Sequence, residues 1–240
     1  YDAGFSITIG PSGNIFTTGV FEDIADFDPG TGTYNLTAMG QNDIFIQKLD
    51  PEGNFVWTKT IGNTSYEKSL SITVDVSGDI YTTGYFSETL DFDPEAGMYN
   101  LTAIGYGDIF IQKLDANGNF IWAKSMGGSS FDFGNAITVD TLGNIYTTGY
   151  FSETLDIDPG AGTHYLTATG GINNAFIQKL KDSVETTIGI NSFNHTGSIN
   201  LYPNPTHGKL TIEGSEIQNI KIIDVNGKLL QQLNVSNKSI

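Results

Sequence analysis

"YTTGYFSETLDFDP" (Tyr81–Pro94) returns as "YTTGYFSETLDIDP" (Tyr146–Pro159), with Phe92 to Ile157 as its one change. A looser copy, "FTTGVFEDIADFDP", spans Phe16–Pro29. Tyr81 and Tyr146 stand 65 residues apart, and a slide of 65 aligns the rest of the chain with itself. Gly13-Asn14-Ile15 meets Gly78-Asp79-Ile80 and Gly143-Asn144-Ile145, and Trp57 meets Trp122. "DIFIQKLD" (43–50) recurs at 108–115, and its third copy, "NAFIQKLK" (174–181), is displaced by one residue near Gly170-Gly171. Self-similarity at a fixed period is the mark of stacked or radially arranged units.

Each unit reads as four strands, here called a to d. "SITVD" (71–75), "IYTTGYF" (80–86), "DIFIQKL" (108–114) and "NFIWAK" (119–124) are rich in β-branched and aromatic residues and carry a period of two. "DVSGD" and "DANGN" join a to b and c to d. Asp opening a turn with Gly three residues on suits a type I turn closed by a left-handed residue, the form of a tight hairpin. Two hairpins per unit predict four-stranded antiparallel blades, an all-β propeller-like architecture. A β-solenoid is the alternative, but its coils are shorter and lack paired hairpins.

Composition narrows the partners. Eleven lysines and no arginine stand against 27 acidic residues, for a net charge of −16 over 240 residues. Such a chain is repelled by nucleic-acid phosphates and anionic lipid, so nucleic acid is not an expected partner. No segment approaches the ~20 apolar residues of a membrane span. Cysteine is absent, which removes disulfides and thiolate metal sites.

"GNIYTTGYF", "DIFIQKLDANGNFIWAKSMGG" and "AITVDTLGNIYTTG" resemble the bacterial β-propeller repeat known as SBBP, over residues 1–180. The repeats divide at about 1–65, 66–130 and 131–180. The departure is a long insertion between strands b and c, "SETLDFDPEAGMYNLTAIGYG" (87–107). With strands alternating up and down, the b–c insertions and the d–a links share one face of the disc, where binding residues belong. The third unit is expected to lack strand d, leaving the edge of strand c uncovered near Phe176–Leu180. Three units would then form an open arc of a protein that extends upstream.

Residues 181–198 read as a polar linker. Beyond them Tyr202, Pro203, Asn204, Pro205, Thr206, Gly208, Asp224, Gly227 and Lys228 resemble the type A C-terminal sorting domain of the type IX secretion system of Bacteroidetes. Its strands are expected at 199–202, 209–213, 218–224 and 229–235, forming a small sandwich over 199–240. The family pattern has a further half, so this domain is expected to be partial. The resemblance implies the type IX secretion machinery as a partner and an extracellular or cell-surface address.

The sharpest polar feature is Asp-x-Asp-Pro: Asp26 and Asp28, Asp91 and Asp93, Asp156 and Asp158. Residues i and i+2 of a strand point the same way, and Ca²⁺ is the cation that takes several such oxygens. The competing reading is a Pro-terminated turn whose Asp caps backbone amides. No other cofactor is expected. Asp115, Asn117 and Asn119 resemble the start of a calcium loop, but the hairpin reading accounts for each of them. Trp57, Trp122, Tyr85, Tyr150 and Phe86 could stack on sugar rings, although repeated blade aromatics more often form core. His164, His195 and His207 make no metal spacing, and no nucleophile elbow is present. Asp140-Thr141-Leu142 and Asp182-Ser183-Val184 resemble Bacteroidetes O-glycosylation sites. These features together predict a noncatalytic binding, adhesion or surface-layer protein whose partner is an extracellular protein or glycan. The alternative is a polysaccharide-acting enzyme using the repeated aspartates. Near-identical repeats give like environments, which suits multivalent binding better than an acid and a base with divergent pKa values.

Overall fold

The structure is a computed structural model that describes residues 1–95, 97–169 and 173–181 in full, and the backbone of strands 188–189, 200–204, 209–213, 219–223 and 229–234. All regular structure in the described residues is β. Blade 1 comprises β1 (Ala3–Ile9), β2 (Ile15–Phe21), β5 (Asp43–Leu49) and β6 (Phe55–Ile61), with the hairpin β3 (Ile24–Asp26) and β4 (Asn35–Thr37) in its insertion. Blade 2 comprises β7 (Glu67–Val74), β8 (Ile80–Phe86), β11 (Asp108–Leu114) and β12 (Phe120–Gly128), with β9 (Thr89–Asp91) and β10 (Asn100–Thr102). Blade 3 comprises β13 (Asp132–Val139), β14 (Asn144–Phe151), β17 (Asn174–Lys181) and β18 (Ile188–Gly189), with β15 (Thr154–Asp156) and β16 (Tyr165–Thr167).

The strand order within each blade is a-b-c-d and antiparallel, as the repeat predicts. The expected turns are present: Gly13, Gly53, Gly78, Gly118 and Gly143 all adopt positive φ. One expectation is corrected. The third blade does have a fourth strand, because Gln178 and Lys179 pair with Gly189 and Ile188. That strand comes from within the stretch read as linker. Two residues with no repeat counterpart leave no pattern to read.

The threefold "TTG" now has a reason. Strand a of every blade carries a bulge opposite this motif, between Gly4 and Ser6, Ser69 and Ser71, and Gly134 and Ala136. The bulged backbone presses on strand b. A Cβ on Gly19, Gly84 or Gly149 would lie 1.9, 1.8 or 1.8 Å from the carbonyl oxygen of Ala3, Lys68 or Phe133. The threonine before each glycine donates its hydroxyl across to strand c: Thr18 to the Phe45 carbonyl, Thr83 to Phe110, and Thr148 to Phe176.

Blades pack face to face, and the repeat defines two faces. The trailing face of blade 1 presents Phe16, Ile44, Ile46 and Ile61 to the leading face of blade 2, where Ile72, Ile80, Phe86 and Phe110 wait. Tyr81, Ile109, Ile111 and Met126 of blade 2 meet Ile137, Ile145, Phe151 and Phe176 of blade 3 in the same way. A serine links successive a strands: Ser6 Oγ accepts from Ile72 N–H at 3.3 Å, and Ser71 Oγ from Ile137 N–H at 3.2 Å.

The outer rims are joined differently at the two junctions. Gly127 and Gly128 of β12 pair with Asp156 and Leu155 of β15, so blades 2 and 3 share a six-stranded sheet. A Cβ on Gly128 would lie 1.8 Å from the Thr154 carbonyl. The corresponding residue at the first junction is Asn63, whose side-chain amide donates to the carbonyls of Thr89 (2.9 Å) and Ser87 (3.4 Å) instead. In the tail, β19 (Asn200–Asn204) pairs with β20 (Lys209–Glu213), and β21 (Asn219–Ile223) with β22 (Leu229–Asn234). The four strands fall where the sequence predicts them.

Candidate functional site: the insertion face

All three insertions project from one face together with the d–a links, since the a–b and c–d turns occupy the other. Each insertion is an ordered hairpin rather than an open loop. It leaves strand b through a non-glycine residue of positive φ (Asp23, Glu88 and Glu153, at 51°, 59° and 59°). A glutamine of strand c, half-buried in blade 1 and buried in blades 2 and 3, ties it down: the amides of Gln47, Gln112 and Gln178 donate to the carbonyls of Phe27, Phe92 and Ile157. These carbonyls belong to the middle residue of each Asp-x-Asp.

The first aspartate of each pair caps its own loop. Asp26 Oδ1 accepts from Asp28 and Tyr34 N–H, Asp91 Oδ1 from Asp93 and Tyr99, and Asp156 Oδ1 from Asp158 and His164. Asp28 and Asp158 cap Gly30 and Gly160 in turn. Among the described residues no group of three or more His, Cys, Asp or Glu side chains is gathered as a metal site. The Asp115 carboxylate is likewise used within its hairpin, by the amides of Asn117 and Asn119 and the side chain of Asn119. As a turn cap, the pair makes a definite prediction. Asp91→Asn with Asp93→Asn lowers stability by about 1 kcal/mol, and thermal melts of both proteins are unmoved by chelator. A bound Ca²⁺ would instead make the parent melt chelator-sensitive.

A second set of carboxylates lies beneath the face, at the blade junctions. Asp43 and Asp108 open strand c and accept amides from Met39 and Gly40, and from Ile104 and Gly105. Glu67 and Asp132 open strand a of the following blade and accept from Asn63 and Gly128. All four are buried. Burial, reinforced by Asp43, pushes the Glu67 carboxyl up to about 8. Burial raises Asp108 and Asp132 to about 6, and raises Asp43 as well.

The exposed chemistry is aromatic. Tyr106, at the end of the second insertion, stacks on Phe131 of the d–a link with centroids 5.4 Å apart. Phe131 stacks on Phe133, and Phe133 on Tyr150, at 6.0 and 4.7 Å. Tyr85 meets Phe133 edge-on at 4.6 Å. Tyr106 is 69% and Phe131 47% exposed, so the row opens at the insertion face. Of the rings singled out in the sequence, only Tyr85 and Tyr150 join it. Phe86 is core, and Trp57 and Trp122 pack against the two junction clusters. The buried carboxylates, the glutamine anchors and the Tyr106–Phe131 stack were not foreseen. The repeated Asp of "DIFIQ" and the aromatic pair of "SFDF" (130–133) are their traces in the sequence.

Comparison with known proteins agrees with this geometry. Residues 121–150 match the model of the β-propeller repeat, and residues 200–240 match that of the secretion system C-terminal sorting domain. Residues 121–150 thus carry a β-propeller repeat and residues 200–240 a sorting domain, on an all-β, propeller-like fold. Similar proteins include an uncharacterized WD repeat-containing protein of Acanthamoeba polyphaga mimivirus, 28% identical over 206 residues, which are 72% of this chain and 14% of that protein. Another is the regulatory protein FlaEY of Caulobacter vibrioides, 26% identical over 127 residues, 51% of this chain and 13% of that one. The chain thus spans about a seventh of the length of these relatives.

The sorting domain marks this repeat protein for export by the type IX machinery to the extracellular space or cell surface. Tyr202, Pro203 and Asn204 of its motif lie in β19. Pro205, Thr206, Gly208, Asp224, Gly227 and Lys228 lie outside the described residues. No helix of the described residues is long and apolar enough to cross a membrane.

Proposed function

We propose that the protein is a noncatalytic extracellular binding protein that engages a glycan surface through its insertion face. The observation that carries this reading is the aromatic row from Tyr106 to Tyr150, open at the face where the insertions gather. Ring faces stack on the C–H face of sugars, and the −16 charge disfavours anionic partners. The enzymatic alternative needs an accessible acid, and its best candidate on pKa grounds, Glu67, is only 1% exposed. The surface Asp-x-Asp carboxylates sit in near-identical environments, which suits repeated contact rather than an acid and base of divergent pKa.

The test is pull-down of the purified chain by insoluble cellulose, chitin and xylan, with reducing-end release assayed on the same samples. Binding to at least one glycan is expected. Tyr106→Ala with Phe131→Ala should weaken it about tenfold or more, the loss of one or two stacking contacts. Release of reducing ends, or binding indifferent to both substitutions, would overturn the reading.

A further inference from the structure

The hairpin turns of the blades follow one rule, and one turn departs from it. Asp50, Asp75, Asp115 and Asp140 each open a turn, and each carboxylate accepts the backbone amides two and four residues on. A side-chain donor completes each set: the amide of Asn54, Asn119 or Asn144, or the hydroxyl of Tyr81 or Tyr146. Such a set favours the ionised carboxylate, and hydrogen bonds from Asn54 hold Asp50 below its ordinary range. In the a–b turn of blade 1 the opening residue is Gly10.

The turn keeps its shape without the carboxylate. The Gly10 N–H donates to the Asn14 carbonyl at 2.9 Å and the Gly13 N–H to the Gly10 carbonyl at 3.0 Å. Asp140, Gly143 and Asn144 make the same two bonds at 2.9 and 3.0 Å, and φ is 79° at Gly13 against 75° at Gly143. The backbone amides of Ser12 and Asn14 are therefore directed as those of Leu142 and Asn144 are. Among the described residues no carboxylate accepts them. Successive amides held in this way form an anion-binding concavity.

A cation stands beside the same turn. Lys48 lies 5.4 Å from the centroid of the Phe16 ring and donates across the junction to the Ala116 carbonyl at 2.8 Å. Its counterpart in blade 2, Lys113, pairs with Asp79 at 2.9 Å. Asn14 replaces Asp79 in blade 1, and none of the ion pairs among the described residues involves Lys48. These residues open onto a cavity of about 140 Å³, lined by Ser12, Asn14, Phe16 and Lys48 and closed by the a–b turn of blade 2 at residues 76–78. The ring edge of Phe16 lies 2.9 Å from where a Cβ on Gly10 would stand, so a carboxylate reaches these donors through the cavity rather than from residue 10.

We propose that this cavity binds the carboxylate of a small organic acid, held by the Ser12 and Asn14 amides and the Lys48 ammonium. A space of this size takes a molecule no larger than about a benzene ring. The charge of −16 repels extended anions, but the Lys48 ammonium acts on a bound carboxylate from well within the ~8 Å screening length. The site lies on the turn face, opposite the insertions, and goes beyond the glycan reading without depending on it. Because blade 2 closes the cavity, the bound acid also bridges the first junction.

The test is an amide NMR titration of the full chain with sodium acetate at constant ionic strength. Sodium chloride and acetamide, the neutral isostere, serve as controls. The Ser12 and Asn14 amides should shift saturably, with a dissociation constant on the order of millimolar for so small a ligand. Acetamide and chloride should leave both in place. Asn14→Asp puts a carboxylate beside Lys48, as Asp79 stands beside Lys113, so the blade stays folded while acetate binding weakens about tenfold or more. Lys48→Met should weaken it to a similar degree. Amides that do not move, or that move equally with acetamide or chloride, overturn the proposal. So does an Asn14→Asp chain that saturates at the parent's midpoint.

Discussion

Gly84→Ala unfolds the middle blade. The added Cβ would sit 1.8 Å from the Lys68 carbonyl oxygen and 3.0 Å from Ser69 Cα. Both are backbone atoms of the bulged strand β7, so no side-chain rotation relieves the overlap. Relief requires the a and b strands to part, which breaks the ladder next to the bulge and the Thr83 hydrogen bond to Phe110. The expected cost is on the order of 4 kcal/mol or more, in the range reserved for steric and core-network failures. Urea unfolding at neutral pH measures it. Gly53→Ala is the control: nothing lies within 4 Å of its Cβ, and only its φ of +87° is strained, so about 1 kcal/mol is expected. Equal midpoints for the two variants would show that the close approach is not what the "TTG" motif serves.

Glu67→Gln raises the melting temperature at pH 8.5 and leaves it nearly unchanged at pH 5. Burial and the neighbouring Asp43 raise the Glu67 carboxyl to about 8 in the folded state. Between its ordinary value and about 8 the folded protein holds a proton that the unfolded chain has released. That stabilisation is fully present at low pH and is lost as pH rises toward 8. A tenfold difference in proton affinity between the folded and unfolded chains corresponds to about 1.4 kcal/mol, so the effect is of the order of a few kcal/mol. Asp108 and Asp132, each raised to about 6, add losses between about pH 4 and 6. Asp50 works in the opposite sense: hydrogen bonds from Asn54 lower its pKa, so its contribution is lost on acidification. Thermal melts from pH 4 to 9 should therefore fall on the alkaline side, and Glu67→Gln should flatten that limb. A limb of unchanged slope would exclude Glu67 as its source.

The hairpins were legible in the sequence because their turns need chemistry that few residues supply. An aspartate that caps two amides and a glycine at positive φ announce a tight turn wherever they recur. Blade number and insertion face follow from those turns and from the period. The bulges were not legible, since an extra residue in one strand is visible only through the glycine it demands in its partner. The junction carboxylates were hidden for a related reason: in "DIFIQKL" nothing local says whether Asp43 faces water or the next blade. The aromatic row was hidden by distance, because Tyr85, Tyr106, Phe131 and Tyr150 come from four segments that only the stacking of two blades brings together. The Asp-x-Asp pairs were conspicuous in the sequence, and the structure shows their first carboxylates engaged with their own loops.

The unequal rims of the two junctions make the arc mechanically uneven. Between blades 2 and 3, the pairing of β12 with β15 carries load through main-chain hydrogen bonds arranged as a ladder. Between blades 1 and 2, one flexible amide side chain, that of Asn63, spans the same gap. Under tension or bending, the first joint is the compliant one. A protein tethered at the cell surface and pulled through a ligand on its insertion face would open there first, with blades 2 and 3 moving as a stiff pair.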